Sequence, residues 1–568
     1  MELQEKIDIM KAAAQEHLLS QRREDGMWEG HLSSSAISTS VSIFALSLID
    51  ATRYRSAIQQ GAEWLLRTSV DGTWGDSVES PPNMTATLLT YTALHHLGRV
   101  PQTTRHHLTD VLGWHNEEEL IRGVLDYYGK DLTFSVPILM MCALAGVIHD
   151  WKKIPPFPFE LALLPQSTFR FLQLPVVSYA IPALIAVGIL QNRKRRTWFT
   201  PLRQRFEGKA MQVLTTLQPA DGGFLEAAPL TAFVSMCLAE AQYVSHSVTQ
   251  ACAQFLAATQ REDGAWPIDT NLAAWVTSLS ARALGGDLPD RQALADTIRR
   301  NATTRKHPFT GAPAGGWGWT NLSGSVPDGD DTSGALVALY TLLDGHYVAE
   351  VGQGIRWLIA LQNRDGGMPT FCKGWGRLPF DRSTPDITAH ALLAMSLWCD
   401  HLPKDMQPST RRSMNRMLAW LEHTQTDGGS WYPLWFGDQD AADEHNPVYG
   451  AATLMDYLHS SGMPRAERLA SRTVPFLLDS QDRFGGWGGT GGIPSKVTLT
   501  AKAIGALAPY RQQKAVEQAI RKGVDYLYTH YENGTLYRLE PIGLYFSRLW
   551  YSEELYNPIF LLTALKRL

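Results

Sequence analysis

A repeated turn is the feature of this sequence that most constrains its fold. In each copy a helical segment ends at a Gln or Arg, a few polar residues follow, and a Gly and an aromatic or Met residue close the turn. The copies begin at Gln21, Arg67, Gln218, Gln260, Gln362, Gln425 and Gln481. Glycine accepts the positive φ of a tight turn, and the Gln amide can bond to backbone groups at neighbouring helix ends. Because the segments between the copies have helical periodicity, we predict an all-α fold in which paired helices form rings, the α/α barrel.

Composition narrows the class of protein. A chain of 568 residues is too long for one compact core, so two domains are expected. The net charge of −5 is spread along the chain and gives no nucleic-acid footprint. The five Cys are widely spaced, which favours a reducing compartment and offers no zinc site. The 18 Trp fit either an aromatic core or a cavity whose ring faces hold a cation.

Three carboxyl groups within four residues, Asp328, Asp330 and Asp331, open a predicted helix. Like charges at this spacing repel one another, so at least one of these carboxyls should be shifted towards its protonated form. Helix-terminal N–H groups and the helix dipole can hold the ionised neighbours. In a nonpolar pocket this arrangement gives a carboxylic acid beside fixed anions, which is what protonation of an unactivated alkene requires.

Three plainer interpretations of the acidic cluster compete with this one. An Asp cluster is usually a solvated turn that caps a helix. A calcium loop would need Gly and Glu at its sixth and twelfth positions, where this chain has Ser333 and Leu339. A magnesium–diphosphate site built on Asp-Asp-x-x-Asp has no counterpart in the sequence. A second acidic run, from Asp438 to His445, is interpreted as a solvated loop rather than a metal site.

The repeats resemble the Gln-Trp motifs of the squalene–hopene cyclase family of class II terpene cyclases, and Asp328 to Thr332 matches its Asp-x-Asp-Asp-Thr motif. The resemblance runs along nearly the whole chain. It implies two joined α-barrel domains. The smaller would cover residues 18–245, and the catalytic one residues 246–568 together with an N-terminal helix, residues 1–17.

The same resemblance implies roles for particular residues. Asp330 would be the proton donor, and Asp328 and Asp331 its electrostatic and hydrogen-bonded neighbours. Asp386 and His390 match an Asp-x-Thr-Ala-His motif whose His is hydrogen-bonded to the catalytic Asp. A protonated His390 would stabilise the carboxylate left after proton transfer.

Further matches concern the return of the proton and the stabilisation of cations. Tyr449 resembles a tyrosine that helps to relay a proton from water back to the acid. Trp319, Trp275, Phe371 and Trp435 fall where the family places aromatic rings, or close to such positions. A ring face there would stabilise a migrating carbocation, although each ring also suits ordinary core packing.

The function implied by the resemblance is proton-initiated polycyclisation of a linear polyprenyl substrate, the work of an isomerase or intramolecular lyase. The substrate would be a squalene-like triterpene precursor or a prenylated aromatic compound that yields a meroterpenoid. No cofactor and no metal are expected. The family's Gln-Pro pair, associated with water control at termination, is Ala228-Pro229 here, which weakens the expectation of squalene itself.

Two other classes of function stay open from the sequence. A protein prenyltransferase β subunit has a similar barrel but needs zinc ligands that include an Asp-x-Cys pair, and the nearest pair here is Cys399-Asp400. A non-catalytic helical-repeat binding protein would use the acidic segment only as a turn.

The expected partner is a hydrophobic isoprenoid substrate and not a nucleic acid. The N-terminal segment lacks the basic and apolar regions of a signal peptide, so a cytoplasmic protein is expected. The most apolar stretch, residues 171–190, contains Pro175 and Pro182 and is barely long enough to span a bilayer. We therefore predict a buried or membrane-dipping helix there, and leave open both peripheral membrane contact and whether the protein is a monomer or a homodimer.

Overall fold

The computed structural model describes residues 1–112, 114–129, 132–165, 168, 180–195, 197–308, 311–370, 381–490, 492–544 and 548–568. The helices are α1 Leu3–Ser20, α2 Ala36–Asp50, α3 Arg55–Arg67, α4 Met84–His96, α5 Gln102–Leu112, α6 Glu117–Tyr128, α7 Leu132–Leu144, α8 Ile181–Lys194, α9 Thr200–Leu217, α10 Ala228–Leu238, α11 Ser247–Thr259, α12 Ala273–Leu284, α13 Arg291–Arg300, α14 Gly329–Leu342, α15 Ala349–Leu361, α16 Pro385–Trp398, α17 Gln407–Thr424, α18 Pro447–Ser460, α19 Pro464–Asp479, α20 Val497–Leu507, α21 Lys514–Glu532 and α22 Tyr556–Leu565. The strands are β1 Ser34–Ser35, β2 Trp266–Pro267, β3 Phe436–Gly437, β4 Ile542–Leu544 and β5 Leu549–Tyr551. The predicted all-α fold is confirmed.

The C-terminal half of the chain closes a double ring of helices. Along the inner ring, α12, α14, α16, α18, α20 and α22 each pack against the next, and α22 returns to α12. The helices α13, α15, α17, α19 and α21 lie outside this ring, and α1 fills the remaining outer position against α22. The result is an α/α barrel whose outer layer is completed by a helix from the other end of the sequence.

A second, smaller ring is formed by the N-terminal half of the chain. Its inner helices are α2, α4, α7, α8 and α10, and α10 packs back against α2. The helices α3, α5, α6, α9 and α11 pack on its outside. Of the apolar stretch 171–190, residues 181–190 belong to the buried inner helix α8, and residues 171–179 lie outside the described part of the chain.

The pattern of apolar residues explains which helices are inner and which are outer. In the inner helix α4, every residue from Met84 to Leu94 is buried. The outer helix α21 buries only one stripe, which recurs at the helical spacing of three or four residues from Val516 to Leu527. A helix that is apolar on all sides can lie only inside a ring, whereas an amphipathic one must keep one face in water.

The hydrophobic cores show which ring the helices near the predicted domain limits pack against. Helix α11 packs on α10 and α2, and its Phe255 and Leu256 belong to the core of the smaller ring. The sequence had placed this helix in the catalytic domain, after residue 245. Its place in the outer layer of the first ring follows from this packing. Ile7 and Met10 of α1 lie in the core of the larger ring. The division into two domains itself stays a prediction.

The repeated turns tie successive outer helices together. In the turn after α15, the Gln362 side-chain amide donates to the carbonyl oxygen of Gly366 at 2.7 Å and to that of Ser413, in α17, at 3.1 Å. The Gln residues at 218, 260, 425 and 481 bond in the same way to the Gly four residues on and to the next outer helix. The predicted structural role of the repeat is thereby confirmed for these copies.

Short strands join the two rings beside their facing ends. β1 pairs with β2 antiparallel, and β3, β4 and β5 form a small antiparallel sheet. The backbone N–H of Trp550, in β5, donates to Oδ2 of the buried Asp76 from the smaller ring at 2.7 Å. The strands therefore help to fix the space between the rings, where the cavity lies.

Candidate active site

A cavity of about 310 Å³ lies between the two rings. Its walls are mainly apolar and aromatic. The smaller ring contributes Leu89, Phe134, Pro137, Ile138, Leu230 and Phe233, and the larger ring and its strands contribute Trp275, Trp319, Ile387, Trp435, Phe436, Tyr551 and Tyr556. Asp328, Asp330 and Asp331 also line this cavity. The cavity size is typical of small-molecule sites, and its walls suit a hydrocarbon ligand.

The start of helix α14 positions the acidic cluster. Asp328 is the N-cap residue, and its Oδ1 accepts hydrogen bonds from the backbone N–H groups of Asp330 and Asp331, both at 2.8 Å. This cap satisfies two donors that the first turn of a helix leaves free. It also turns the first residues of α14 towards the cavity. The cluster is therefore a helix cap and a cavity wall at once, rather than a solvated turn.

Burial perturbs the carboxyls on either side of Asp330. Burial is the main cause that raises the pKa of Asp328 to about 7. The pKa of Asp331 is raised well above its ordinary value by burial and then by the adjacent Asp328 carboxyl. The repulsion predicted from the sequence is therefore present, and its effect falls on Asp328 and Asp331. Asp328 also accepts two N–H groups, so of these two neighbours of Asp330, Asp331 is the better candidate to hold a proton at rest.

His390 from the inner helix α16 faces Asp330. Its Nδ1 lies 2.6 Å from Oδ1 of Asp330, a short hydrogen-bond distance. The His390 side chain is 2% exposed, whereas that of Asp330 is 19% exposed, because Asp330 forms part of the cavity wall. One oxygen of Asp330 is thus held by a ring nitrogen while the side chain reaches the ligand space.

Asp386 and Tyr449 lie in the buried surroundings of this pair. Burial raises the pKa of Asp386 to about 6, against a hydrogen bond from the Thr384 hydroxyl. Burial also raises the pKa of Tyr449 well above its ordinary value, helped by nearby Tyr457 and by Asp386 and Asp330. Asn446 caps helix α18 and accepts the Tyr449 N–H at 3.1 Å, which fixes where that helix begins.

Three of the four predicted aromatic residues line the cavity. Trp275, Trp319 and Trp435 are in its wall, and Phe371 lies outside the described residues. The backbone N–H of Trp275 donates to the Trp319 carbonyl at 3.2 Å, so these two residues are held side by side. The structure thereby brings predicted ring faces and the predicted acid to one space.

Several site residues were missed from the sequence. Tyr457 stacks on His390 with ring centroids 4.5 Å apart and planes 9° apart. Tyr556 accepts the Trp275 indole N–H at 3.2 Å and bonds to the Tyr551 hydroxyl at 3.1 Å. Tyr457 lies eight residues after Tyr449 on one face of α18, a spacing that the sequence could have offered. Nothing local in the sequence indicates that Tyr551 and Tyr556 reach the cavity.

Two family models match separate parts of the chain. The model of the squalene-hopene cyclase C-terminal domain matches residues 297–568, and that of the N-terminal domain matches residues 11–110. The chain is 23% identical to enfumafungin synthase of Hormonema carpetanum over 90% of this chain and 45% of that protein. It is 24% identical to a terpene cyclase–glycosyl transferase fusion protein of Humicola fuscoatra over 92% of this chain and 47% of that protein. The chain thus spans less than half the length of these two curated relatives.

A solved structure shares the whole fold. It is the ent-copalyl diphosphate synthase from Streptomyces platensis, with a TM-score of 0.55 and 16% identity over 98% of this chain and 99% of that one. At this identity the likeness concerns the arrangement of helices alone. The two domain matches together cover more than half of the sequence, from the first helix to the last, and this chain therefore belongs to the squalene–hopene cyclase family.

Proposed function

We propose that this protein protonates a linear polyprenyl substrate and cyclises it, with Asp330 as the general acid. The observation that carries the proposal is the position of Asp330, which lies in the wall of an apolar, aromatic cavity while His390 holds one of its oxygens at 2.6 Å. An alkene is a weak base, so its protonation needs an acid without competing water and a stabilised conjugate base.

Each step has a residue in place. The Asp330 proton adds to a terminal alkene carbon, and the π electrons form the new C–H bond and leave a tertiary cation. The remaining carboxylate is stabilised by His390 and by the N-terminal end of α14. Successive alkene bonds then attack the cation, while Trp275, Trp319 and Trp435 present ring faces to it. Tyr449 takes part in returning a proton to Asp330.

The polar groups in the cavity favour a substrate with a polar end. The Thr85 and Tyr128 hydroxyls bond to each other at 2.7 Å in the wall from the smaller ring. Arg548 also lines the cavity, stacks over the Tyr127 ring at 3.8 Å and pairs with Glu444 at 3.4 Å. These donors suit a hydroxylated aromatic head better than a pure hydrocarbon, so a prenylated aromatic compound is the substrate class that we propose first.

The experiment compares wild type with Asp330→Asn. Purified proteins are incubated in D₂O with squalene, polyprenols and prenylated hydroxybenzoates, and isomers are sought by gas chromatography and mass spectrometry. Wild type should yield cyclic products that carry one deuterium from the initiating acid. Asp330→Asn should lose at least about 100-fold of the rate, in line with removal of a general acid. Unchanged cyclisation by this variant would remove Asp330 from the role, and no cyclic product from any of these compounds would refute the proposal.

We also propose that the protein contacts a membrane at its periphery. Trp198 is 83% exposed, and Phe199, Leu202 and Phe206 are exposed beside it at the start of α9. A cluster of exposed large apolar side chains is typical of an interaction site. No helix within the described ranges is both long enough and apolar enough to cross a membrane.

A further inference from the structure

Asp269 is a carboxyl in the cavity wall that the initiating step does not use. We propose that Asp269 is the base that removes the last proton of the cyclisation, and that Glu226 and Asp221 carry this proton to the solvent. The inference rests on the proposed cyclisation, because it assigns how the same cascade ends.

The fold places Asp269 beside the residues proposed to stabilise the cation. It follows β2 and precedes α12, the helix that carries Trp275. Its Oδ1 accepts the Thr270 N–H at 2.9 Å, which fixes the direction of the side chain. Asp269, Trp275 and Trp319 are all in the cavity wall. A cation held by these rings would therefore lie close to a carboxylate that is separate from the initiating acid.

A chain of polar groups leads from Asp269 out of the cavity. The neighbouring Thr270 hydroxyl donates to the Glu226 backbone carbonyl at 3.1 Å and lies 3.5 Å from Oε2 of its carboxyl. The Glu226 side chain is buried and is held by the N–H of Gly324. Its carboxyl hydrogen-bonds to Asp221, which is exposed at the protein surface. The Asp269 carboxyl is close enough to contribute to the raised pKa of Glu226, so the carboxyls follow one another from the cavity to the solvent in the order Asp269, Glu226 and Asp221, with Thr270 beside the first two.

The raised pKa values of the two buried carboxyls suit proton transfer from Asp269 to Glu226. Burial raises the pKa of Asp269 to about 7, although hydrogen bonds from the Thr270 N–H and the Trp319 side chain act to lower it. A substantial fraction of the Asp269 carboxyl is therefore ionised near neutral pH and able to accept a proton. Burial, and then the Asp221 and Asp269 carboxyls, raise the pKa of Glu226 to about 9. Glu226 thus holds a proton at rest. It can release this proton to Asp221 as it receives another from Asp269. Asp331 is a further titratable group near Asp269, and Asp328, Asp330 and Arg548 line the same cavity.

The terminating step is an elimination. A C–H bond next to the cationic carbon breaks, its electron pair forms the new C=C bond, and the proton binds to the Asp269 carboxylate. No oxidant or other reactant is consumed. The proton then leaves through Glu226 and Asp221, and solvent supplies another to Asp330, so the protein returns to its starting state.

The test follows how the cascade ends rather than whether it starts. Wild type, Asp269→Asn and Asp330→Asn are compared on the same panel of squalene, polyprenols and prenylated hydroxybenzoates. Asp269→Asn should still consume substrate and take up one deuterium from D₂O. Its ratio of cyclic olefins to alcohols should fall about 100-fold, the effect of losing a positioned base. Asp263→Asn, at an exposed position in the turn that precedes β2, should behave as wild type.

The outcomes separate this inference from the proposed function. An Asp269→Asn protein with the wild-type olefin ratio, beside an inactive Asp330→Asn, would overturn the terminal base and leave the acid in place. Activity in Asp330→Asn would instead overturn the cyclisation mechanism. For the relay, Glu226→Gln should keep the olefin ratio but slow turnover about tenfold and change its solvent isotope effect. Infrared titration gives a readout without substrate: because burial also raises the pKa of Asp76 and of Asp328 to about 7, the carboxyl absorbance that titrates near pH 7 should fall in Asp269→Asn by the contribution of one group, and an unchanged amplitude would contradict the assignment.

Discussion

Replacement of His390 by Phe separates the hydrogen bond to the acid from the packing of the ring. The imidazole is 2.6 Å from Asp330 through Nδ1, and it stacks on Tyr457 and meets Trp275 edge-on at 6.1 Å. A phenyl ring can keep both ring contacts but has no nitrogen. Because His390 is almost fully buried, an apolar ring of similar size should also leave the fold intact.

The size of the effect follows from that single bond. A hydrogen bond to a charged group contributes about 1.5–3 kcal/mol. If His390→Phe removes this amount of stabilisation from the carboxylate formed in the transition state, kcat should fall about 10- to 150-fold, at 1.36 kcal/mol per factor of ten. The expected loss is smaller than that of Asp330→Asn, because the acid itself remains.

The assay measures the rate of cyclic product formation per mole of folded protein, with the fold checked by circular dichroism and thermal unfolding. His401→Phe is the matched control. His401 is exposed just beyond α16 and packs edge-on against Tyr340 and Trp398, away from the acid. A His390→Phe protein that is folded and turns over within twofold of wild type would refute the argument from the hydrogen bond.

Three further outcomes are expected. Gln362→Met should lower the free energy of unfolding by roughly 2–6 kcal/mol, because it leaves the buried Gly366 carbonyl and Ser413 hydroxyl without their hydrogen-bond partner. The same change at the exposed Gln292 should alter the free energy of unfolding little, and equal losses for the two variants in denaturant unfolding would contradict the structural role of the turn. Trp198→Ser combined with Phe199→Ser should weaken co-sedimentation with phospholipid vesicles, and unchanged sedimentation would exclude this patch as the contact. Burial raises the pKa of Asp76 to about 7, so between about pH 4 and 7 the folded state binds more protons than the unfolded state and loses stability as the pH rises. Asp76→Asn should remove that loss, which amounts to roughly 4 kcal/mol at most. Parallel curves of stability against pH for the two proteins would contradict this role of Asp76.

Much of the fold follows from local patterns. Helix ends are marked by Gln, Gly and aromatic residues at fixed spacing, and the bonds of Gln425 and Gln481 show why the spacing matters. The contact between Asp330 and His390 was also predictable, because each lies in the first two turns of an inner helix within a recognisable motif. Such features depend on a few neighbouring residues or on one motif.

Other parts of the site depend on how distant segments meet. Tyr551 and Tyr556 reach the cavity because α22 closes the inner ring against α12 and β5 directly precedes α22, and no local pattern specifies that closure. In the sequence, Asp269 is an ordinary loop carboxyl. Only the folded structure places it in the cavity wall with Trp275 and Trp319 and close to Glu226. Helix α11 is a related case, because its apolar stripe fits either ring and only the packing against α2 and α10 assigns it. The domain limit at residue 245 stays a prediction.

The pairing of α1 with the last helices has a consequence for synthesis on the ribosome. Lys6 in α1 bonds to Asp525 in α21, 519 residues further along the chain. The smaller ring can form from one continuous segment as soon as α11 has emerged. Helix α1 must wait with its apolar face uncovered until α21 and α22 are made, and pairing at such separation is slow. We therefore expect nascent chains to carry a folded first ring and an unpaired α1, and the closure of the larger ring to be the last event of folding.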